Sequence, residues 1–138
     1  MKICASPEQL RKTARTCDID VTKYCEEFKE FVKTHSCMSM TAPQVGTNYA
    51  IMAVKYRRPT RVYILVNPAI KAQGKKMVQS VERTLDTHAP VSLKKQRPVW
   101  VILTYMTPNL KHKKQRLFVG RRAAAALHAY EILQGTLR

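Results

Sequence analysis

Acidic residues are scarce in this chain, and most of those present lie in its first part. Residues 55–138 hold three, Glu82, Asp86 and Glu131, against eighteen Lys or Arg, a net of +15; residues 1–54 hold six against seven. A merely solvated face needs mixed charge, and fifteen uncompensated cations repel one another on folding. The asymmetry is instead the electrostatic footprint of a polyanion partner. Long apolar runs are also missing: none approaches the roughly 20 residues of a membrane span, and the longest, 99–106, is strand-like. Without a basic amphipathic helix, an anionic membrane is the lesser rival. No Cys-x-x-Cys pair joins Cys4, Cys17, Cys25 and Cys37, and no secretory signal precedes them, so reduced thiols in an intracellular compartment are expected. Repeats, low-complexity stretches and linkers are absent, and 45% of residues are hydrophobic. The 138 residues therefore read as a single domain, 1–138, with a sizeable core.

The cations present fall in groups: Lys55, Arg57, Arg58 and Arg61; Lys75 and Lys76, with Lys71 nearby; Lys94, Lys95 and Arg97; Lys111, Lys113, Lys114 and Arg116; Arg121 and Arg122. Most are expected at turns or strand ends, where long side chains reach phosphates. Their spread suits folded RNA better than a short duplex. No helix-turn-helix, zinc-finger or aromatic stacking signature accompanies them, so sequence-specific base readout is not expected.

Two N-terminal helices are expected. Ser6 and Pro7 would open the first, over 6–15. Asp20 would cap the second, over 20–35, where Val21, Tyr24, Cys25, Phe28, Phe31 and Val32 trace a buried stripe. Strands are expected at 50–55, 61–66, 69–73, 77–85, 98–105 and 114–119, punctuated by Pro59, Gly74, Pro90, Pro98 and Pro108. Trp100 belongs to packing. Gly120 then opens a last helix whose four consecutive alanines allow close approach to a sheet. Helices, strands, helix is an α+β order.

That last helix carries His128-Ala129-Tyr130-Glu131-Ile132. In the hydrolase pattern His-Glu-x-x-His, imidazoles at i and i+4 share one helical face and hold a metal, with the Glu as general base. Upstream stand Cys37-Met-Ser-Met-Thr-Ala42-Pro-Gln44-Val45-Gly46, Val66-Asn67-Pro68-Ala69-Ile70 and Glu82-Arg83-Thr84-Leu85-Asp86. In order and spacing the four segments resemble the motifs of peptide deformylases, whose counterparts read Gly-x-Gly-x-Ala-Ala-x-Gln-Val-Gly, Asn-Pro-x-Ile and Glu-Gly-Cys-Leu-Ser. The similarity covers nearly the whole chain, about 3–137.

The resemblance implies a deformylase-like fold, with antiparallel strands around a central C-terminal helix. It assigns metal-ligand positions to Thr84, His128 and Ile132, the acid/base to Ala129, and oxyanion support to Gln44 and the backbone N–H of Leu85. Two of three ligands and the base are thus replaced, so no metal, cofactor or catalytic residue is expected. His128 and Glu131, at i and i+3, can share a helical face, to which Thr84 would add a hydroxyl, but no nearby acid is expected to replace the base. Cys37, Ser39 and Arg83 stand where the family has glycines, which implies a narrowed, closed cleft. Support for the imidazoles is not expected to have persisted.

The function expected is therefore a catalytically inactive deformylase-like protein with a basic RNA-binding surface. Deformylases act on nascent chains at bacterial-type ribosomes. A structural subunit or assembly factor of a mitochondrial ribosome, touching ribosomal RNA and neighbouring ribosomal or assembly proteins, follows by analogy. Arg11, Lys12 and Arg15 would suit a weak mitochondrial address, although no conventional transit peptide is visible. The alternatives are a metal-dependent deformylase or hydrolase with an altered metal site, and a module that binds formyl-peptides without cleaving them.

Overall fold

Asp20 sets the start of the first long helix. Its carboxylate accepts the Thr22 N–H at 2.8 Å and the Thr22 hydroxyl at 2.6 Å. α1 runs Thr22–Lys33, shorter at both ends than the expected 20–35. In this computed structural model, residues 1–4, 8–56, 58–83 and 92–136 are described. The stripe is buried as expected, with Phe28 and Val32 fully enclosed and Tyr24 and Phe31 partly so. The expected first helix is reduced to a 3₁₀ turn, Gln9–Arg11, and Ser6 and Pro7 lie outside the described residues. The following amides bond elsewhere: Ala14 N–H to the Leu133 carbonyl at 2.7 Å, Arg15 N–H to that of Asn48 at 3.2 Å. Those bonds are incompatible with a helix continuing to residue 15.

Among the described residues, seven strands follow: β1 (Ser39–Thr41), β2 (Ile51–Tyr56), β3 (Arg58–Gln73), β4 (Met77–Arg83), β5 (Ser92–Pro98), β6 (Trp100–Met106) and β7 (Lys113–Val119). A five-stranded sheet has the order β1-β2-β3-β6-β7, and β4 and β5 form a two-stranded one, with antiparallel pairing throughout. The strands expected at 61–66 and 69–73 are one. Asn67 carries the chain through at φ +50, its side chain accepting the Cys17 N–H at 2.8 Å and donating to the Cys17 carbonyl at 2.9 Å. β1 and β5 were not expected. Lys94, Lys95 and Arg116 therefore lie within strands and not at turns, whereas Lys113, first in β7, and Arg97, last but one in β5, keep to strand ends as expected.

α2 (Arg121–Gln134) touches both sheets. Ala123, Ala126 and Ala129 pack with Leu127 and Leu133 on Met52, Val54, Leu65, Val101, Leu103 and Phe118. The alternate residues Ile51 and Ala53 join the α1 core with Met40, Val62 and Val66. A sheet covered on both faces needs continuously apolar strands, which is why 50–54 reads as an unbroken apolar run. The arrangement is α+β, as expected.

α2 ends on Gly135 at φ +71, where an added Cβ would stand 2.4 Å from the Arg11 carbonyl oxygen. Gly135→Ala is expected to cost more than about 1 kcal/mol of unfolding free energy in urea, because strain and a backbone clash coincide. Gly120 also has a positive φ, +64, but nothing lies within 4 Å of its Cβ position. In Gly135→Ala, a loss no larger than about 1 kcal/mol, the cost of the strained backbone alone, would refute the clash.

Candidate functional site

The β4–β5 register sets Val78 opposite Arg97 and Glu82 opposite Leu93. Arg97 reaches along the hairpin to Glu82, with Nε 2.8 Å from Oε2 and Nη2 2.7 Å from Oε1. The same Nη2 lies 2.9 Å from Glu131 Oε1 on α2, which also accepts from Lys95 at 3.1 Å. His128, one helical turn before Glu131, places Nδ1 2.8 Å from Glu82 Oε1. An ionised carboxylate only accepts, so Nδ1 carries a proton and donates it to Glu82. The Arg97 and Glu82 side chains are 5% and 7% exposed.

Burial alone would push the Glu82 carboxyl up, but hydrogen bonds from Arg97, His128 and Ser80 outweigh it and hold the group at about 2. Glu131 is likewise opposed by burial, yet Arg97 and Lys95 keep it below the usual carboxylate range. Burial works against the Arg97 charge too, and its two carboxylates raise its affinity for the proton above the ordinary value. Each acid is held ionised by its cations, which lowers its affinity for a proton. Glu131 Oε1 is engaged by both Arg97 and Lys95.

His128 forms part of the wall of a cleft of about 620 Å³, together with Cys37, Ser39, Gln44, Glu82 and Arg121. Gln44 is held by its turn: Oε1 accepts the Thr41 N–H at 2.9 Å and the Thr41 hydroxyl at 3.0 Å. Burial raises the Cys37 thiol despite the nearby Lys55, so it is not an activated nucleophile. His128 Nε2 is buried and has no hydrogen-bond partner among the described residues.

Two expectations are corrected here. Cys37 and Ser39 do not close the cleft by themselves, because both are part of its wall and the space between the described residues persists. Support for an imidazole has also persisted, since His128 is oriented by a carboxylate that is itself clamped by a guanidinium. The signal was thin: Glu82 matched the resemblance without an assigned role, and Arg97 was grouped with surface cations.

Of the other expected site positions, Ala129 and Ile132 are each 1% exposed, and Ile132 packs on Leu10. Thr84 and Leu85 lie outside the described residues. Among the implied ligand positions that are described, His128 supplies one imidazole and Ile132 supplies none. Ile132→His is expected to lower stability by roughly 1–3 kcal/mol in urea unfolding, the cost of a buried polar group without a partner. Unchanged stability would mean that the ring finds a partner in the cleft.

The cationic candidates divide. Arg97 is removed from the RNA-facing set, because its guanidinium is enclosed and saturated by carboxylates. Lys95 is half-buried against Glu131, and the half-buried Lys55 donates its ammonium to the His35 carbonyl. Arg57 and the side chain of Arg58 lie outside what is described. Arg61, Lys75, Lys76, Lys94, Lys111, Lys113, Lys114 and Arg121 are exposed, and Arg116 and Arg122 are half-buried. An aromatic element absent from the expected surface also emerges. Arg116 Cζ stands 3.8 Å from the Tyr63 ring centroid, and Arg122 Cζ 5.3 Å from that of Tyr56.

A profile described as polypeptide deformylase matches residues 1–138. Among curated proteins, none matches the chain. Among solved structures, peptide deformylase 1B of Arabidopsis thaliana, in complex with an inhibitor, superposes with a TM-score of 0.86 at 23% identity, over 99% of this chain and 78% of that one. A Plasmodium falciparum peptide deformylase gives 0.83 at 22%, over 99% and 83%. The Ehrlichia chaffeensis enzyme gives 0.84 at 18%, over 99% and 84%. At these identities the likeness speaks for the fold.

Proposed function

The chain belongs to the polypeptide deformylase family, and on that premise we propose that it has lost hydrolysis and binds RNA through its cationic half, as a structural subunit or assembly factor of a mitochondrial ribosome. One observation carries the reading: eighteen Lys or Arg against three acids over residues 55–138. Two of those acids, Glu82 and Glu131, are spent on internal pairing with Arg97 and Lys95 and do not offset the outer cations. A surface of that kind suits phosphates. Loss of hydrolysis rests on Ala129 and Ile132, and in sequence on Thr84. A methyl group accepts no proton, and a hydrolytic site takes three good ligands and an open position. One imidazole and a packed alkane do not fit that donor set. The ribosomal assignment is analogy with enzymes that act on nascent chains.

Pull-down of the tagged full chain from mitochondrial extract, with and without ribonuclease, tests the reading. Ribosomal RNA and ribosomal or assembly proteins should co-purify, and ribonuclease should release at least part of them. Recovery of the chain alone would overturn it.

A second reading, a hydrolase with an altered metal site, draws on the cleft and on the oriented imidazole of His128, whose Nε2 has no partner among the described residues. Elemental analysis with an assay of formate release from formyl-methionyl peptides separates the two. Neither stoichiometric iron, zinc or nickel nor formate is expected. One equivalent of metal with turnover would favour the hydrolase.

A further inference from the structure

We propose that Tyr56, Tyr63, Arg116 and Arg122 form a preorganised ledge that docks the phosphates of single-stranded RNA. The inference rests on the RNA-binding reading above and states where the strand sits. Tyr56 and Tyr63 come from neighbouring strands, β2 and β3, and their rings meet edge to face, 5.4 Å between centroids at 61°. Both belong to the sheet face that α2 covers, because Tyr56 alternates with Val54 and Met52, and Tyr63 with Leu65. Arg116 of β7 lies over Tyr63, and Arg122 of the first turn of α2 lies over Tyr56. The order is guanidinium, ring, ring, guanidinium, assembled from four elements.

These guanidiniums differ in kind from that of Arg97. Arg97 is saturated by two carboxylates, whereas Arg116 and Arg122 have no hydrogen-bond or ion-pair partner among the described residues, and the Nε of each is buried without one. A half-buried guanidinium with no carboxylate beside it keeps donors available for an incoming anion. The rings hold the two cations in place, which lowers the ordering cost of a fork-shaped contact to phosphate oxygens. Exposed Arg61 and Lys114 lie two residues from Tyr63 and Arg116 on the same strand faces, extending the charge along a line. Repeated phosphates match that line, and unpaired bases can stack on the outer faces of guanidinium planes. A cluster of carboxylates offers neither feature.

Fluorescence anisotropy of a labelled oligouridylate with the full chain, over a series of salt concentrations, is the test. Arg116→Lys with Arg122→Lys keeps the net charge, so the salt slope should stay while affinity falls about tenfold, because an ammonium makes neither the fork nor the stack. Tyr63→Leu should weaken binding several-fold with the charge untouched. A control, Lys75→Arg with Lys76→Arg, should bind as the native chain does. If Tyr63→Leu fails to fold, the lysine pair alone decides. Native affinity in that pair would overturn the ledge and leave general RNA binding standing. No affinity in the native chain would overturn the reading beneath it. Polyglutamate binding as tightly, with the same sensitivity to the lysine pair, would overturn RNA as the occupant.

Discussion

RNA affinity is expected to fall by several hundredfold between about 50 and 200 mM salt, the loss that about six neutralised phosphates of a single strand produce through released counterions. Binding should show little base preference, since exposed lysines and guanidiniums read backbone. Charge reversal at Lys111, Lys113, Lys114 and Arg116 should weaken binding to all RNAs alike. It should also flatten the slope of log affinity against log salt, by about 0.7 for each phosphate of a single strand that is no longer neutralised. The same change at Lys2, Lys23 and Lys29, in the charge-balanced part, should matter much less. Titrations at several salt concentrations decide the matter. Binding that ignores salt, or that both sets of variants lose equally, would refute a polyanion-binding role for residues 55–138.

The buried network should be as decisive for stability. Arg97→Ala leaves the carboxylates of Glu82 and Glu131 facing one another without their shared cation. Removing one partner of a buried pair costs about 3–5 kcal/mol, and urea unfolding at neutral pH should read a loss of that order. A loss no larger than that of Lys75→Ala, at the exposed surface, would show that the network contributes nothing. The network also sets an acid dependence. Folding lowers the Glu82 carboxyl from 4.5 to about 2. Over that range the unfolded chain binds more protons than the folded one, so stability falls as pH falls. The Glu82 contribution is complete above about pH 4.5 and is lost on acidification towards pH 2. In Glu82→Gln this part of the acid loss should disappear, and an unchanged profile would place it on other carboxylates.

What could be read from the sequence, and what could not, follows from the range over which each signal acts. The α1 stripe, the alanine-rich face of α2 and the apolar strands repeat every few residues, so they are legible locally. The four motif segments carried the family because their order and spacing survive substitution at single positions. β5 was missed because Ser92–Pro98 alternates little and its lysines suggest solvent. The fate of Arg97 depends on a carboxylate on the partner strand and another on α2, a pairing no local pattern records. Tyr56, Tyr63, Arg116 and Arg122 are scattered over three strands and a helix, and their stacking exists only after folding. The closed cleft was expected from side chains replacing glycines, but the space depends on where the backbone carries those side chains.

The bonds that hold residues 13–15 against Asn48, Leu133 and Gln134 have a consequence for the order of events during synthesis. An N-terminal segment whose partners lie more than a hundred residues downstream cannot lock into place while the chain is still emerging. Until residues 121–134 leave the exit tunnel, the sheet face built by Met52, Val54, Leu65, Val101 and Leu103 has no helix to cover it. Until α2 docks, that face is expected to stay exposed, the kind of surface that chaperones meet in a folding chain.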